Sequence, residues 1–128
     1  MRHQTHPFPA DRRSVAAARR FVRATLSGSG HAPEAVEDAV LMVSELASNV
    51  VEHARTEYEI VVAVDEDRAR IEVADGSAIL PALREAAHDS ERGRGLYLLE
   101  TLAKRWGVES RPSGKAIWFE LDLGARQP

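Results

Sequence analysis

Apolar residues recur along this chain at two spacings, which predict helices in some segments and strands in others. In three segments they recur every three or four residues, as on one face of an α-helix. These stripes are Val15, Ala18, Val22 and Leu26; Val36, Val40, Val43, Ala47, Val50 and Ala54; and Leu96, Leu99, Leu102, Ala103 and Trp106. Elsewhere apolar residues alternate with polar ones, as in half-buried strands. The alternating sets are Tyr58, Ile60, Val62, Val64, Ala69, Ile71 and Val73, and later Ile117, Phe119, Leu121 and Leu123.

Residues at the segment ends are typical of helix caps and turns. Asp11 can cap a first helix that runs to about Leu26, and Pro33 suits the first turn of a second helix that ends near Ala54. Gly107 is expected to end the third helix. Residues 58–74 then form one hairpin, and a short strand at 108–111 precedes the last strand.

The order of these elements predicts an α+β fold. We expect a two-layer sandwich in which helices cover one face of a mainly antiparallel sheet. Residues 1–10 are expected to be a flexible tail, and residues 11–124 a single domain. The polar segment 77–92 is expected to be a loop, and a loop of this length in a small domain is usually functional or mobile.

Composition narrows the class of protein. The chain has 128 residues, of which 44% are hydrophobic and 29% charged, a profile typical of one soluble globular domain. It has no cysteine, which excludes disulfides, thiol nucleophiles and cysteine-containing zinc sites. No apolar run in the sequence approaches the ~20 residues that cross a bilayer, and the first ten residues lack the apolar segment of a secretory signal. We therefore expect a cytoplasmic protein that does not bind membranes.

The charge is unevenly distributed along the chain. Residues 1–31 carry a net charge of +5, whereas the remaining 97 residues carry −8. A basic N-terminal helix could bind nucleic acid or an acidic partner. We favour a solvated helix face, because the arginine cluster has no aromatic platform and the whole chain has a net charge of −3.

A polar row on the second predicted helix is the first candidate for chemistry. Glu45 and Asn49 are four residues apart and share a face, and His53 continues the row one turn later. An amide oxygen suits Mg²⁺, which takes one or two protein oxygens together with phosphate oxygens. A carboxylate one turn away could take a proton from a hydroxyl that attacks a γ-phosphate. Two polar residues on a solvated helix face would show the same spacing.

Two glycine-containing segments could complete a nucleotide site. Asp75-Gly76 follows a strand, where the carboxylate could accept a hydrogen bond from an exocyclic amine such as that of adenine. Gly76 would let a flat ring approach the backbone. Gly93-Arg94-Gly95-Leu96 opens the third helix, where backbone N–H groups, the helix dipole and an arginine could bind phosphates. Each segment alone is more typical of an ordinary turn than of a binding site.

In combination, these residues resemble a known family. Residues 45–54 (ELASNVVEHA) resemble the N box of the Bergerat-fold, or GHKL, ATPases. The segments VADG at 73–76 and GRGL at 93–96 resemble the first and second glycine boxes of that superfamily. The compact length and the closing segment 107–121 look most like the stand-alone bacterial anti-sigma-factor serine/threonine kinases. The resemblance covers residues from about 11 to 123.

The resemblance implies a histidine-kinase-like ATPase fold that binds ATP and Mg²⁺. It assigns the magnesium ligand to Asn49, the general base to Glu45 and adenine recognition to Asp75. The other residues that it places in the cofactor site are His53, Gly76, Gly93, Arg94, Gly95 and Leu96. It further implies phosphorylation of a serine or threonine on a small STAS-type antagonist protein, sequestration of a sigma factor, and homodimer formation. Nucleic acid is not among the partners it implies.

The chain departs from the family pattern in having a short lid segment, and it departs at two further places. After Gly76, the family usually has a further glycine or an aspartate-rich stretch, whereas this chain continues Ser77-Ala78. Near the last strand, Lys115 and Ala116 stand where a threonine is expected. The stretch after Gly76 keeps a second hypothesis open, a non-catalytic module that binds a sigma factor or a similar protein and has weak, structural or no nucleotide binding.

Overall fold

The computed structural model describes residues 2–27, 31–78 and 94–124, which form a five-stranded sheet covered on one face by three helices. The elements are β1 (Arg2–Phe8), α1 (Arg13–Leu26), α2 (Pro33–Asn49), a π turn (Val50–Ala54), β2 (Tyr58–Val64), β3 (Arg68–Asp75), α3 (Arg94–Leu102), β4 (Arg105–Arg111) and β5 (Gly114–Asp122). The strand order is β1-β2-β3-β5-β4, and every neighbouring pair is antiparallel. The predicted α+β two-layer sandwich is confirmed.

The first residues form a strand, so the expectation of a flexible tail is wrong for residues 2–8. Strand β1 pairs with β2 from Arg2 opposite Val64 to Phe8 opposite Tyr58. Phe8 is its one buried residue, and its ring stacks on that of Tyr58 with centroids 5.3 Å apart. An edge strand held mainly by backbone hydrogen bonds carries little hydrophobic alternation, and the sequence pattern therefore does not indicate it.

Helices α1 and α2 have the ends that the sequence predicts. The Asp11 carboxylate accepts the backbone N–H of Arg13 at 2.8 Å, and this hydrogen bond lowers the pKa of the Asp11 carboxyl. Helix α2 begins at Pro33, and the helical path continues to Ala54 through the π turn. Arg55 then ends it in the left-handed conformation, with φ 57°.

Helix α3 is shorter than predicted and ends at Leu102 rather than at Gly107. Trp106 lies on β4, opposite Phe119, and its indole N–H donates to Glu100 Oε1 at 3.1 Å. Trp106 has helical spacing from Leu102, and it also occupies an inward position of the strand. Periodicity alone therefore does not show whether Trp106 belongs to the helix or to the strand. The predicted strand at 108–111 is confirmed and begins earlier, at Arg105. The predicted loop at 77–92 lies outside the described residues from residue 79 onward.

The core lies between the helices and the sheet face that they cover, which we call the inner face. Alternation along each strand places one set of side chains on this face and the other on the uncovered outer face. The buried inner-face residues include Ile60, Val62, Ile71, Val73, Phe119 and Leu121, and the helices add Val22, Leu26, Met42, Leu46 and Leu99. Among the described helices, none has the length and apolar character needed to cross a bilayer.

Candidate functional site

The end of β3 meets the start of β5 at a corner formed by Thr56, Asp75, Gly76, Gly114 and Lys115, which we call the Asp75 corner. The strand register places Asp75 directly opposite Lys115. Gly114 has φ 152°, and a Cβ at this position would lie 1.9 Å from the backbone oxygen of Asp75. Only glycine allows the two strands to approach this closely.

Asp75 is a buried carboxylate with several donors around it. Its side chain is 3% exposed, and Oδ1 accepts the backbone N–H of Ser77 at 2.8 Å. The Lys115 ammonium lies 3.0 Å from Oδ1 and 2.9 Å from Oδ2. A buried charge needs such partners, because removal from water is otherwise costly. Asp75 lies where the sequence predicts it, at the end of the second hairpin strand. At that position it forms a buried ion pair with Lys115.

Gly76 is fixed by the segment that follows the π turn. Its backbone N–H donates to Thr56 Oγ1 at 2.9 Å, and the Thr56 hydroxyl donates to the backbone oxygen of Glu57 at 2.9 Å. Thr56 lies two residues beyond the π turn, so these hydrogen bonds tie the end of the α2 path to the end of β3. Gly76 itself is exposed.

The polar row on α2 is retained for two of its three predicted members. Glu45 and Asn49 are half-buried, whereas His53 is exposed and lies in the π turn, with Nε2 3.9 Å from Glu52 Oε2. The i→i+5 pattern of a π turn changes the angular step between side chains, so His53 does not follow the row at α-helical spacing. Single π turns within helices occur frequently at functional sites.

The start of α3 supplies the backbone expected to contact phosphates. The backbones of Arg94 and Gly95 form its first residues, and Leu96, 4% exposed, anchors this turn in the core. Helix α3 packs against α2, the helix that carries Glu45 and Asn49. Gly93 lies outside the described residues. The N-terminal N–H groups of an α-helix have no partners within the helix and suit an anion.

Tyr58 links the Asp75 corner to α1. It pairs with Asp75 across β2 and β3, and its hydroxyl lies 2.6 Å from Ser14 Oγ. Burial raises the pKa of the Tyr58 hydroxyl, while the hydrogen bond with Ser14 lowers it in part. Tyr58 therefore stays neutral beside the charged pair at physiological pH.

Three residues of the corner, Thr56, Gly114 and Lys115, were not identified from the sequence as site residues. Lys115 continues the inward alternation of Ile117, Phe119 and Leu121, and a lysine in such a row indicates a buried partner. That signal was present in the sequence. Thr56 gives no comparable signal, because its contact with Gly76 joins residues that are 20 positions apart.

The described side chains include the donor and acceptor types that a nucleotide with a hydrated metal ion needs. In the described ranges, no group of three or more histidine, aspartate or glutamate residues could hold a metal. A protein cage for a metal ion is therefore absent from this part of the chain. Mg²⁺ needs none, since it keeps several waters and combines one or two protein oxygens with phosphate oxygens. Asn49 offers an amide oxygen of this kind, and Asp75 offers a carboxylate for an amine or ring N–H.

Comparisons with known proteins agree on one family. Residues 8–121 match the family model described as "Histidine kinase-like ATPase domain". The chain is similar to serine-protein kinase RsbW of Bacillus cereus strain AH187, with 33% identity over 111 residues that cover 74% of this chain and 69% of that protein. RsbW of Bacillus mycoides strain KBAB4 is likewise 33% identical over 111 residues, with the same coverage of both chains.

One solved structure supports the same fold. It contains the RsbU and RsbW domains of a Mycobacterium tuberculosis protein, and it superposes on all of this chain with a TM-score of 0.72 at 18% identity. This chain spans 35% of that longer one. At this level of identity the likeness concerns the fold, and it confirms the arrangement of helices over an antiparallel sheet.

Proposed function

This chain belongs to the histidine kinase-like ATPase domain family, among the relatives of serine-protein kinase RsbW, and we propose that it is an ATP-dependent anti-sigma-factor kinase. Its substrate is a serine or threonine of a small STAS-type antagonist protein, and its second partner is a sigma factor. It regulates transcription in the cytoplasm by exchanging these partners. The half-buried pair Glu45 and Asn49 on α2, in a chain of this family, is the observation that carries the proposal.

Each candidate residue has a role that its chemistry allows. Bound ATP would supply the phosphoryl group, and Mg²⁺ would offset the negative charge of the phosphates. Asn49 gives the metal an amide oxygen, and Glu45 accepts the proton of the substrate hydroxyl. Asp75 accepts a hydrogen bond from the base, and the N–H groups at the start of α3 receive the phosphates. His53 and Gly76 border the site, and Arg94 adds a cation for phosphate oxygens.

A phosphate-transfer assay with labelled ATP and the antagonist protein, recovered by pull-down from the host, tests this proposal. Loss of a general base costs on the order of 10²–10⁴ in rate, so Glu45→Gln should slow transfer by about that factor and leave ATP affinity within about threefold. Glu37→Gln is the matched control, because Glu37 lies on the same helix and pairs at 2.8 Å with Arg23 at the surface. Equal transfer by wild type and Glu45→Gln contradicts the assigned role of Glu45.

A second function is favoured by one contact at the corner. The Asp75 carboxylate already accepts hydrogen bonds from Lys115 and Ser77, which weakens its interaction with an adenine amine. A protein-binding module that holds a sigma factor without phosphate transfer agrees with this contact. Calorimetry with MgATP, combined with the phosphate-transfer assay, separates the two functions. Saturable binding together with transfer supports the kinase, and binding without transfer supports the module. Homodimer formation stays a prediction, which analytical ultracentrifugation can test.

A further inference from the structure

The segment 51–57, which leads from α2 into β2, has few contacts that hold it to the rest of the fold. The structure describes all of its residues, and none of them is fully buried, whereas Val50 just before it and Tyr58 just after it are 5% and 2% exposed. Within the described part of the chain, one hydrogen bond joins this segment to a distant residue. It runs from the Gly76 N–H to Thr56 Oγ1, at 2.9 Å.

The Thr56 hydroxyl is oriented to accept this hydrogen bond. It donates its own proton to the backbone oxygen of Glu57 at 2.9 Å, so a lone pair of Oγ1 faces the Gly76 N–H. Threonine is branched at Cβ and its χ1 angle is restricted, which favours one direction for that lone pair. We call Thr56, Glu57 and Gly76 the Thr56 clamp.

The Thr56 clamp extends the pairing of β2 and β3 beyond their last backbone pair. That pairing ends with Tyr58 opposite Asp75, so Glu57 and Gly76 would be the next pair in register. A side-chain oxygen therefore accepts the N–H that a backbone carbonyl accepts within a sheet. Asp75 itself does not depend on the clamp, because Tyr58 pairs with it on one side and Lys115 on the other.

Stability alone gives little reason for the Thr56 clamp. Glu57 and Gly76 are exposed, so water can replace the threonine hydroxyl, and the net contribution of such a hydrogen bond to folding is small. The clamp is better explained by what it joins. It connects the end of the helical path that carries Asn49 to the end of the strand that carries Asp75.

The π turn makes this connection necessary for a fixed spacing. Asn49 is the last residue of α2 and stands directly before the π turn. Sharp bends in helices occur at such turns, so the end of the path can change its angle unless a contact beyond the turn restrains it. Thr56 lies two residues beyond the π turn and supplies that contact.

We propose that Thr56 is a positioning residue for nucleotide binding, which fixes the spacing between the metal end of the site at Asn49 and the base end at Asp75 before ATP binds. This inference rests on the proposed nucleotide site. A ligand that bridges two ends of a site binds more tightly when their spacing is preset, because less freedom is lost on binding. A ligand that occupies one end gains nothing from that spacing.

Titration of Thr56→Val with MgATP and with adenosine tests this inference. Valine keeps the shape of threonine and removes the hydroxyl. MgATP spans both ends of the site and should bind at least about fivefold more weakly than in wild type, whereas adenosine occupies the base end and should bind within about twofold. Calorimetry measures the first affinity and NMR titration the second. Thr56→Ser keeps the hydroxyl and should restore MgATP affinity to within about twofold of wild type.

Thr101→Val is the matched control. The Thr101 hydroxyl also donates to a backbone oxygen, that of Tyr97 at 2.9 Å, and it lies near the end of α3 away from the turn assigned to the phosphates. Both ligands should bind this variant within about twofold of wild type. Thr56→Val should unfold within about 5 °C of wild type, and a larger loss would assign the clamp to folding instead.

Amide hydrogen exchange in the wild-type protein tests the clamp without a variant. The Gly76 N–H should exchange at least about tenfold more slowly than in an unfolded chain although Gly76 is exposed, because Thr56 holds it. Exchange at the rate of an unfolded chain, in free and MgATP-bound protein alike, would overturn the inference.

Two binding results overturn the inference while leaving the proposed function in place. One is equal MgATP affinity in Thr56→Val and wild type. The other is an equal weakening of MgATP and adenosine in Thr56→Val, which would show damage to the base end rather than a lost spacing. Absence of MgATP binding in wild type overturns the proposed function together with the inference.

Discussion

Both faces of the sheet carry ion pairs between side chains of its strands, but in opposite surroundings. On the inner face, Lys115 and Asp75 join β5 to β3 with side chains that are 10% and 3% exposed. On the outer face, Arg111 bridges Glu72 and Glu109 at 2.9 and 3.1 Å, with its side chain 37% exposed. The same type of contact is therefore shielded from water on one face and in contact with it on the other.

The outer pairs form a network rather than isolated contacts. Arg70 and Arg105 both reach Glu120, and the Arg70 guanidinium also stacks over the Trp118 ring at 4.4 Å. Hydrogen bonds to Glu72 and then Glu109 raise the pKa of the Arg111 guanidinium, so it keeps its charge at any physiological pH. Such cross-strand pairs favour the strand register and keep the uncovered face hydrated.

Exposed and buried ion pairs in this fold differ in what they contribute to the free energy of unfolding. Exposed pairs contribute little to stability and need no further explanation. A buried pair costs the hydration of two charges, and loss of one partner leaves the other charge without compensation. The cost of burying the inner pair therefore indicates that this pair, rather than the outer ones, has a function.

The largest expected effect comes from the residue that brings the inner strands together. Gly114→Ala places a Cβ 1.9 Å from the Asp75 backbone oxygen, at a φ that other residues rarely adopt. We expect a loss of about 4 kcal/mol or more in the free energy of unfolding, measured by urea denaturation. The control is Gly76→Ala, whose Cβ would lie 3.5 Å from the nearest Thr56 atoms, an ordinary contact distance. Equal stability of Gly114→Ala and wild type would show that the corner is not rigid.

A smaller but still large effect is expected when the inner pair is broken. Lys115→Met leaves the Asp75 carboxylate buried without its cation, and removal of one partner from a buried pair costs about 3 kcal/mol or more. The double variant Lys115→Met with Asp75→Leu removes both charges and should regain most of that loss. Thermal unfolding of the three proteins measures both steps. If the double variant is no more stable than Lys115→Met, the buried charge is not the cause.

The smallest effect is expected on the outer face. Arg111→Met removes contacts with Glu72 and Glu109 that water can replace, so the free energy of unfolding should fall by less than about 1 kcal/mol. This loss should shrink further in 1 M salt, whereas the loss from Lys115→Met should persist because buried pairs are screened much less. Denaturation at two salt concentrations gives both values. Similar salt dependence for the two variants would erase the distinction between the faces.

The sequence predicted the elements that have a clear period, and it was wrong where the period is weak or shared. The stripe that ends at Leu26 and the alternation from Tyr58 to Val64 correspond to α1 and β2. Strand β1 lacks alternation because only Phe8 is buried. Trp106 fits both a helical and a strand period, so the end of α3 was misplaced.

The candidate site shows the same division between local and distant signals. Glu45, Asn49 and Asp75 were identified because short local patterns carry their chemistry. The exposure of His53 depends on a π turn, which helical spacing does not indicate. The Asp75–Lys115 pair joins residues that are 40 positions apart, and it depends on the register of β3 and β5. The inward position of Lys115 was the one sequence feature that indicated a buried partner.

The most direct test of the account is calorimetric titration of MgATP into wild type, Asp75→Asn and Glu72→Gln. Asp75 lies at the proposed base site on the inner face, and Glu72 is an outer-face carboxylate three positions earlier on the same strand. We expect one saturable site in wild type, affinity at least about tenfold weaker in Asp75→Asn, and affinity within about twofold of wild type in Glu72→Gln. Equal ATP affinity in wild type and Asp75→Asn would contradict the assignment of the Asp75 corner to the nucleotide base.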